Sequence, residues 1–395
     1  MAEALYPCTF SRRIEEELMN YNRPVRNDSA ITIKVMCAVV FVAFSFLWIY
    51  FFQADVLAVT QHVLSDGKTA YNRLVGAVII TLVLFLLQLG INKVLKLNNR
   101  AHSLTYFPSM LIMAILTSGG GTFWYWLAPL LLVLWGLLVS VLRKQRLNVL
   151  RADFGLFSKM MWQEMLVMAL MMVGIALLSN TNAVYHYRAH VESCLQRRDF
   201  DKALATGVRS LETDESLMML RAYALSRKGE LGERLFEYPI VGSGADLIPV
   251  NGGRSALLLY PQDSVYRHLG AIPRSYMDAP AFLKAVQRSG QATQAIHDYV
   301  LCGQLIDRDI DAFAHSIGRY YDVADSITLP RHYREALVLY AHLRSHPYVV
   351  YHHPVTDEDY DNLVELEAQY SDPQERKVRV MEKYNGSYWY YYKYR

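Results

Sequence analysis

Apolar positions follow two different rules along this chain. Before residue 182 they come in long unbroken runs; after it they recur at helical spacing among charged residues. A membrane helix needs about 20 mostly apolar residues. Five runs are read as spans: 31–52, ending in "VMCAVVFVAFSFLWIYFF", then 74–91, 104–118, 123–142 and 161–178. The third is the shortest and opens near Pro108, and the fourth tolerates Pro129. The "SGGGT" of Ser118–Thr122 between them reads as a tight turn. The first run starts too far from Met1, and is too long, for a cleaved signal peptide.

Past residue 182 the spacing predicts paired helices. "RRDFDKAL" (Arg197–Leu204) and "RKGELGERLF" (Arg227–Phe236) each sit between two helical patterns, and "LIDRDIDAFAHSI" repeats the arrangement later. Further helices are expected over 281–290, 293–323, 330–346, 356–370 and 373–384, with Thr356 as a cap, three acidic residues in the turn after it, and Asn385-Gly386 as a stop. The first two turns resemble that of the tetratricopeptide repeat. Asp199, Phe200 and Ala203 match it in one copy, and Gly229, Glu230 and Leu231 in the other. Arg198 stands where glycine is usual, and Arg234 where a small residue is usual. Such units bury their apolar faces by stacking. Between the early pair and the later array, residues 239–280 hold five Gly and five Pro over 42 positions. This reads as a long ordered loop with one short helix near 264–269, and long loops inside compact domains are often functional. Arg254 and Tyr260 are its candidate contact residues.

Charge sets the orientation. Lys and Arg in short connections mark the cytoplasmic side. Counted loop by loop, 13 fall on the side of the N-terminal arm (such as Arg12, Lys93 and Arg143), against Lys68 and Arg73 on the other. The expected architecture is therefore all-α: a cytoplasmic arm (1–30), a five-helix transmembrane domain (31–182) and an extracytoplasmic tetratricopeptide-like α-solenoid (183–395). Residues 1–182 carry 15 Lys+Arg against 9 Asp+Glu, and residues 183–395 carry 25 against 28. The soluble half thus has no basic surplus, which argues against a nucleic-acid partner. "QADVLAVTQHVL", "LPRHYREALVLYAHL" and the closing "YWYYY" together resemble an uncharacterised bacterial family of multi-pass membrane proteins with a helical periplasmic domain. That resemblance implies a bacterial inner membrane and a periplasmic second half, and no known activity.

Candidate chemistry is sparse. No GxSxG, P-loop or GxGxxG occurs, and the "GSGADLIPVNGG" stretch follows no clear strand. No CxxC exists; Cys194 and Cys302 read as small apolar packing residues, with a disulfide as the alternative. The histidines of "HPYVVYHHP" read as a solvated loop, with no metal or cofactor expected. Glu164 reads as snorkelling from the fifth span. Asp55 stands just past the first span, where polyprenyl-phosphate-sugar-dependent glycosyltransferases place an acidic residue, and "DVLAVTQHVL" suits an interfacial helix. Asp55 is therefore the one speculative catalytic residue. The tail Ser387–Arg395, with Tyr388, Trp389 and Tyr391 as speculative binding residues, reads first as a lid over the last apolar groove of the solenoid. Membrane-interface insertion and stacking on a glycan or partner are the alternatives.

Two functions follow from this reading, ahead of a small transporter. One is a non-enzymatic membrane-anchored scaffold that docks a protein or peptide partner. The other is an enzyme or accessory protein of cell-envelope glycan assembly that works near Asp55.

Overall fold

The computed structural model describes residues 31–95, 97, 101–144, 159–249, 254–273, 277–324 and 329–395. The expected cytoplasmic arm (1–30), with Cys8, lies outside the described residues. Among the described residues every regular element is helical. The chain forms two compact units that meet at Thr181–Asn182.

The first unit begins with α1 (Ile31–Phe52), whose last turn, Trp48–Phe52, is π-wound. It continues with α2 (Ala54–Leu64), α3 (Arg73–Leu95), α4 (Phe107–Thr117), α5 (Trp124–Lys144) and α6 (Lys159–Leu178). α1, α3, α5 and α6 are long and apolar enough to cross a membrane; the segment expected to span at 104–118 is a shorter helix, Ser103–Thr117. Its first turn, Ser103–Tyr106, is 3₁₀ and runs straight into α4.

The short helix packs against its neighbours. Met110, Met113, Ala114 and Thr117 are all buried against protein, while Ile112 stays exposed. A helix that starts inside a bundle leaves its first amides without water to solvate them. Glu164 of α6 answers this: its Oε2 accepts from the Ser103 amide at 2.7 Å. Glu164 is buried rather than snorkelling. At the other end, the Thr117 and Ser179 hydroxyls lie 2.7 Å apart, and the Asn180 amide donates to the Thr117 carbonyl at 2.9 Å. Ser103–Thr117 therefore runs parallel to α6. Phe41 stacks near Tyr106 at 4.9 Å while Gln53 donates to the Asn180 carbonyl at 3.2 Å, so α1 runs the same way. α3 runs opposite, since Gln88 donates to Thr105 and Ser109 donates back to Leu84. α5 also runs opposite, through Trp124 on Ser118 and Trp135 on Leu104.

The second unit opens with three hairpins of one design: α7 (Ala183–Gln196) with α8 (Phe200–Ala205), α9 (Glu215–Lys228) with α10 (Leu231–Arg234), and, after α11 (Gln262–Leu269) and α12 (Ala279–Arg288), α13 (Gln294–Ile306) with α14 (Ile310–Ile317). Each first helix ends on a residue with positive φ: Arg198 at 60°, Gly229 at 74° and Arg308 at 58°. In each, the next amide (Asp199, Glu230, Asp309) reaches back to the carbonyl of Cys194, Leu225 or Gln304 at 2.9–3.0 Å. This is the Schellman closure. Asp199 and Asp309 then cap the following helix. The sequence departure at Arg198 is thus a real departure in residue type on an unchanged backbone. α9 lies at the centre, with Ser216–Ser226 buried on every side.

The chain closes with α15 (Arg331–Leu343), α16 (Pro354–Gln369), α17 (Pro373–Tyr384) and α18 (Tyr388–Tyr394). α16 is capped by His353, whose Nδ1 accepts from the Thr356 amide at 3.3 Å. Thr356 therefore sits three residues inside the cap, and of the three acidic residues expected in the first turn only Asp357 lies there. α17 ends at Tyr384, and Gly386 follows with φ of 90°. Cys194 and Cys302 are buried free thiols.

Candidate functional site

Residues 256–260 of the Gly/Pro-rich stretch are pinned to α7. Three α7 side chains one turn apart hold their backbone. Arg188 donates to the Ala256 carbonyl at 2.9 Å and Gln196 to the Leu259 carbonyl at 2.8 Å. Between them the Glu192 carboxylate accepts from three consecutive amides, Leu258 (2.9 Å), Leu259 (2.5 Å) and Tyr260 (2.7 Å). Ser216 of α9 accepts from the Ala256 amide at 3.0 Å. The i, i+4, i+8 spacing on one helix face (Arg188, Glu192, Gln196) matches an extended peptide laid along it. Glu192 is fully buried. Burial pushes its carboxyl above the usual range, against the pull of the three amides and of Arg188. Further up the same stretch, Ser243 and Asp246 form a capping box on the 3₁₀ turn Gly244–Leu247.

Arg254 and Tyr260 each lie against α9 at separate positions. The Arg254 side chain is 73 % exposed and lies 3.8 Å from Glu215, while half-buried Tyr260 sets its hydroxyl 3.0 Å from that of Tyr223. Asp55 belongs to the other unit, half-buried in the first turn of α2. Beside α2 lies a groove of about 250 Å³ lined by Leu57, Thr60, Gln61, Leu64, Ser65, Tyr71 and Ile80.

The aromatic tail is a helix inside the core. Ser387 caps α18, and Tyr388, Trp389, Tyr390 and Tyr391 are all buried. The Tyr388 amide donates to Glu335 Oε2 at 2.7 Å, the Trp389 indole to the Glu335 carbonyl at 2.7 Å, and the Tyr391 hydroxyl to the Ile306 carbonyl at 2.7 Å. Phe236, beyond the second hairpin, packs on Tyr388 and Tyr391 at 5.1 and 4.8 Å. The three rings offered as contact residues therefore face the interior, and the tail ties α13, α15 and the turn at Phe236 together. Glu335 also accepts from Arg331 Nε at 2.8 Å and bonds His332 Nδ1 at 3.0 Å, because the Phe236 amide donates to His332 Nε2. Burial alone would raise the Glu335 carboxyl, but His332, Arg331 and the Tyr388 amide hold it below the usual range.

Sequence reasoning missed Arg188, Glu192, Gln196 and Glu335. The available signal was the polar i, i+4, i+8 stripe on a helix otherwise read as packing. A last cluster sits on α13: Asp298 accepts from the Tyr321 and Tyr333 hydroxyls at 2.6 and 2.9 Å, beside Cys302. Burial pushes the Cys302 thiol up, which removes its nucleophilic character. Among the described residues no three His, Cys, Asp or Glu side chains converge as metal ligands. The arrangement can hold a shape and present a surface.

The chain belongs to DUF6057, a family of unknown function, whose model matches residues 121–280 and 273–395. No curated protein and no solved structure matches.

Proposed function

We propose that this DUF6057 member is a membrane-anchored, non-enzymatic adaptor that docks a protein or peptide partner on the loop face around Arg254 and Tyr260. In this reading five segments cross a bacterial inner membrane with the N-terminus inside, and a tetratricopeptide-like stack stands in the periplasm. The alternating directions of α1, α3, Ser103–Thr117, α5 and α6 support five crossings despite the short third one, and the 13-to-2 loop bias supports the orientation.

The observation that carries the docking reading is the Glu192 clamp on Leu258, Leu259 and Tyr260. An irregular surface loop ordinarily loses entropy when a partner binds it; one already fixed by buried bonds loses little. A photo-crosslinking amino acid at position 254 or 260 in cells tests this. The expected result is a discrete crosslinked partner that disappears in Glu192→Ala. A crosslink pattern no different from that of an exposed position elsewhere, such as Lys377, would remove the reading.

A second reading, accessory or catalytic work in envelope glycan assembly, draws support from the groove beside α2, whose apolar wall suits the hydrocarbon chain of a lipid-linked sugar. Asp55→Asn with undiminished complementation would eliminate its catalytic form.

A further inference from the structure

Buried polar side chains in the first unit follow one track beside Ser103–Thr117. At its start Glu164 caps the Ser103 turn, and Gln88 of α3 donates to Thr105 on the same turn. Phe41 lies level with Tyr106 and Leu84 with Ser109, so Ser45 on α1 and Thr81 on α3 come about one turn further along. Gln53 stands at the far end beside Asn180. All of these side chains are buried. Yet His102 Nδ1, Gln88 Oε1, Ser45 Oγ, Thr81 Oγ1 and Gln53 Oε1 have no hydrogen-bond partner among the described residues.

Unpaired polar atoms are costly in apolar surroundings and call for water or a proton as the missing partner. The carboxylate is unusual too: among the described residues no Lys or Arg pairs with Glu164. Two of these unpartnered atoms, His102 Nδ1 and Gln88 Oε1, belong to the residue just before the turn that Glu164 caps and to the amide bonded to that turn. A protonated carboxyl keeps its carbonyl oxygen for the Ser103 amide and adds the O–H that this cluster is missing. An ionisable residue inside a membrane bundle marks function more often than packing.

We propose that Glu164 is a proton-binding site inside the membrane bundle, reached along the track that Ser45, Thr81 and Gln53 line. The proposal rests on membrane placement of the first unit and is independent of partner docking. The groups around the site are Lys34 and Cys37 from α1, Gln88 from α3, and His102 and Tyr106 from the Ser103 turn. From α5, Trp135 contributes an indole on the Leu104 carbonyl.

Dicyclohexylcarbodiimide, a lipid-soluble reagent, modifies carboxyls only when they carry a proton. The full chain in lipid nanodiscs is treated across pH 6 to 9, and Glu164 is followed by peptide mass spectrometry. The expected result is modification at pH 6 whose rate falls at least about tenfold by pH 9, a titrating group losing tenfold of its protonated form per pH unit above its midpoint. Glu164→Gln should lose the label and keep its melting temperature, because the amide oxygen still caps Ser103. An unmodified Glu164 at pH 6, or a rate that ignores pH, overturns the proposal.

Discussion

The two units solve one problem with one device and differ in what surrounds it. In each, a buried glutamate accepts from backbone amides that no helix or sheet ladder satisfies. Glu164 takes the start of a helix that begins inside the bundle, Glu192 takes an extended loop, and Glu335 takes the first amide of the tail helix. In the second unit each of these carboxylates has an arginine at hand, Arg188 near Glu192 and Arg331 on Glu335. In the first unit Glu164 has none among the described residues, and His102 and Gln88 on the neighbouring turn each carry an unpartnered polar atom. A buried carboxylate that accepts amides is a staple wherever it sits. A neighbouring cation favours the charged form, so the carboxylate without an arginine is the stronger candidate for proton exchange.

Removing the best-connected staple gives the largest expected effect. Glu335→Ala leaves His332, Arg331 and the Tyr388 amide without their acceptor and should cost about 3–5 kcal/mol. Denaturation of the full chain reads the loss, and amide exchange at Tyr388–Tyr391 localises it. A tail that stays protected would mean that its rings alone hold it. Glu192→Ala comes next, at about 2–3 kcal/mol, because the loop's freed amides can partly find water. Exchange should rise at 258–260 and not at the tail, and Glu192→Gln should recover most of the protection.

Acid separates these two staples in opposite directions. The Glu335 carboxyl sits below its ordinary value of 4.5, so its contribution is complete above that pH and is lost as pH falls through the folded value. The Glu192 carboxyl sits above 4.5, so its contribution is complete below that pH and declines as pH rises through the folded value. Lowering the pH from 7 to 5 should therefore tighten the 258–260 amides while the tail is unmoved. Below pH 4.5 the tail should loosen and the loop should not. Parallel behaviour of the two segments would break the contrast.

The smallest effect tests the shared turn. Arg198→Gly relieves a non-glycine residue of positive φ and should stabilise by up to about 1 kcal/mol, read as a higher melting temperature. Arg308→Gly should gain less, since the Arg308 guanidinium lies 5.2 Å over the Tyr391 ring and loses that contact.

Much of this was legible from local pattern. The apolar runs gave four helices of spanning length, and Asp199, Glu230 and Asp309 marked three hairpin turns, because caps and closures act within five residues. The segment read as the shortest of five spans, 104–118, is a helix of less than spanning length, Ser103–Thr117. The Thr356 cap was misread by three positions because histidine is a rare cap. The loop and the tail were seen as segments and not as structures: Glu192 lies 67 residues from Leu259, and Glu335 lies 53 from Tyr388.

By itself, then, the sequence determined an all-helical chain in two chemically distinct parts, since hydrophobic periodicity and charge bias are local and additive. Only the tertiary structure decided that the aromatic tail is an internal helix, that the Gly/Pro-rich loop is clamped, and that Glu164 stands buried on a polar track. Each of these depends on which distant backbone amide meets which carboxylate, and long-range pairing of that kind leaves no periodic trace in a single chain.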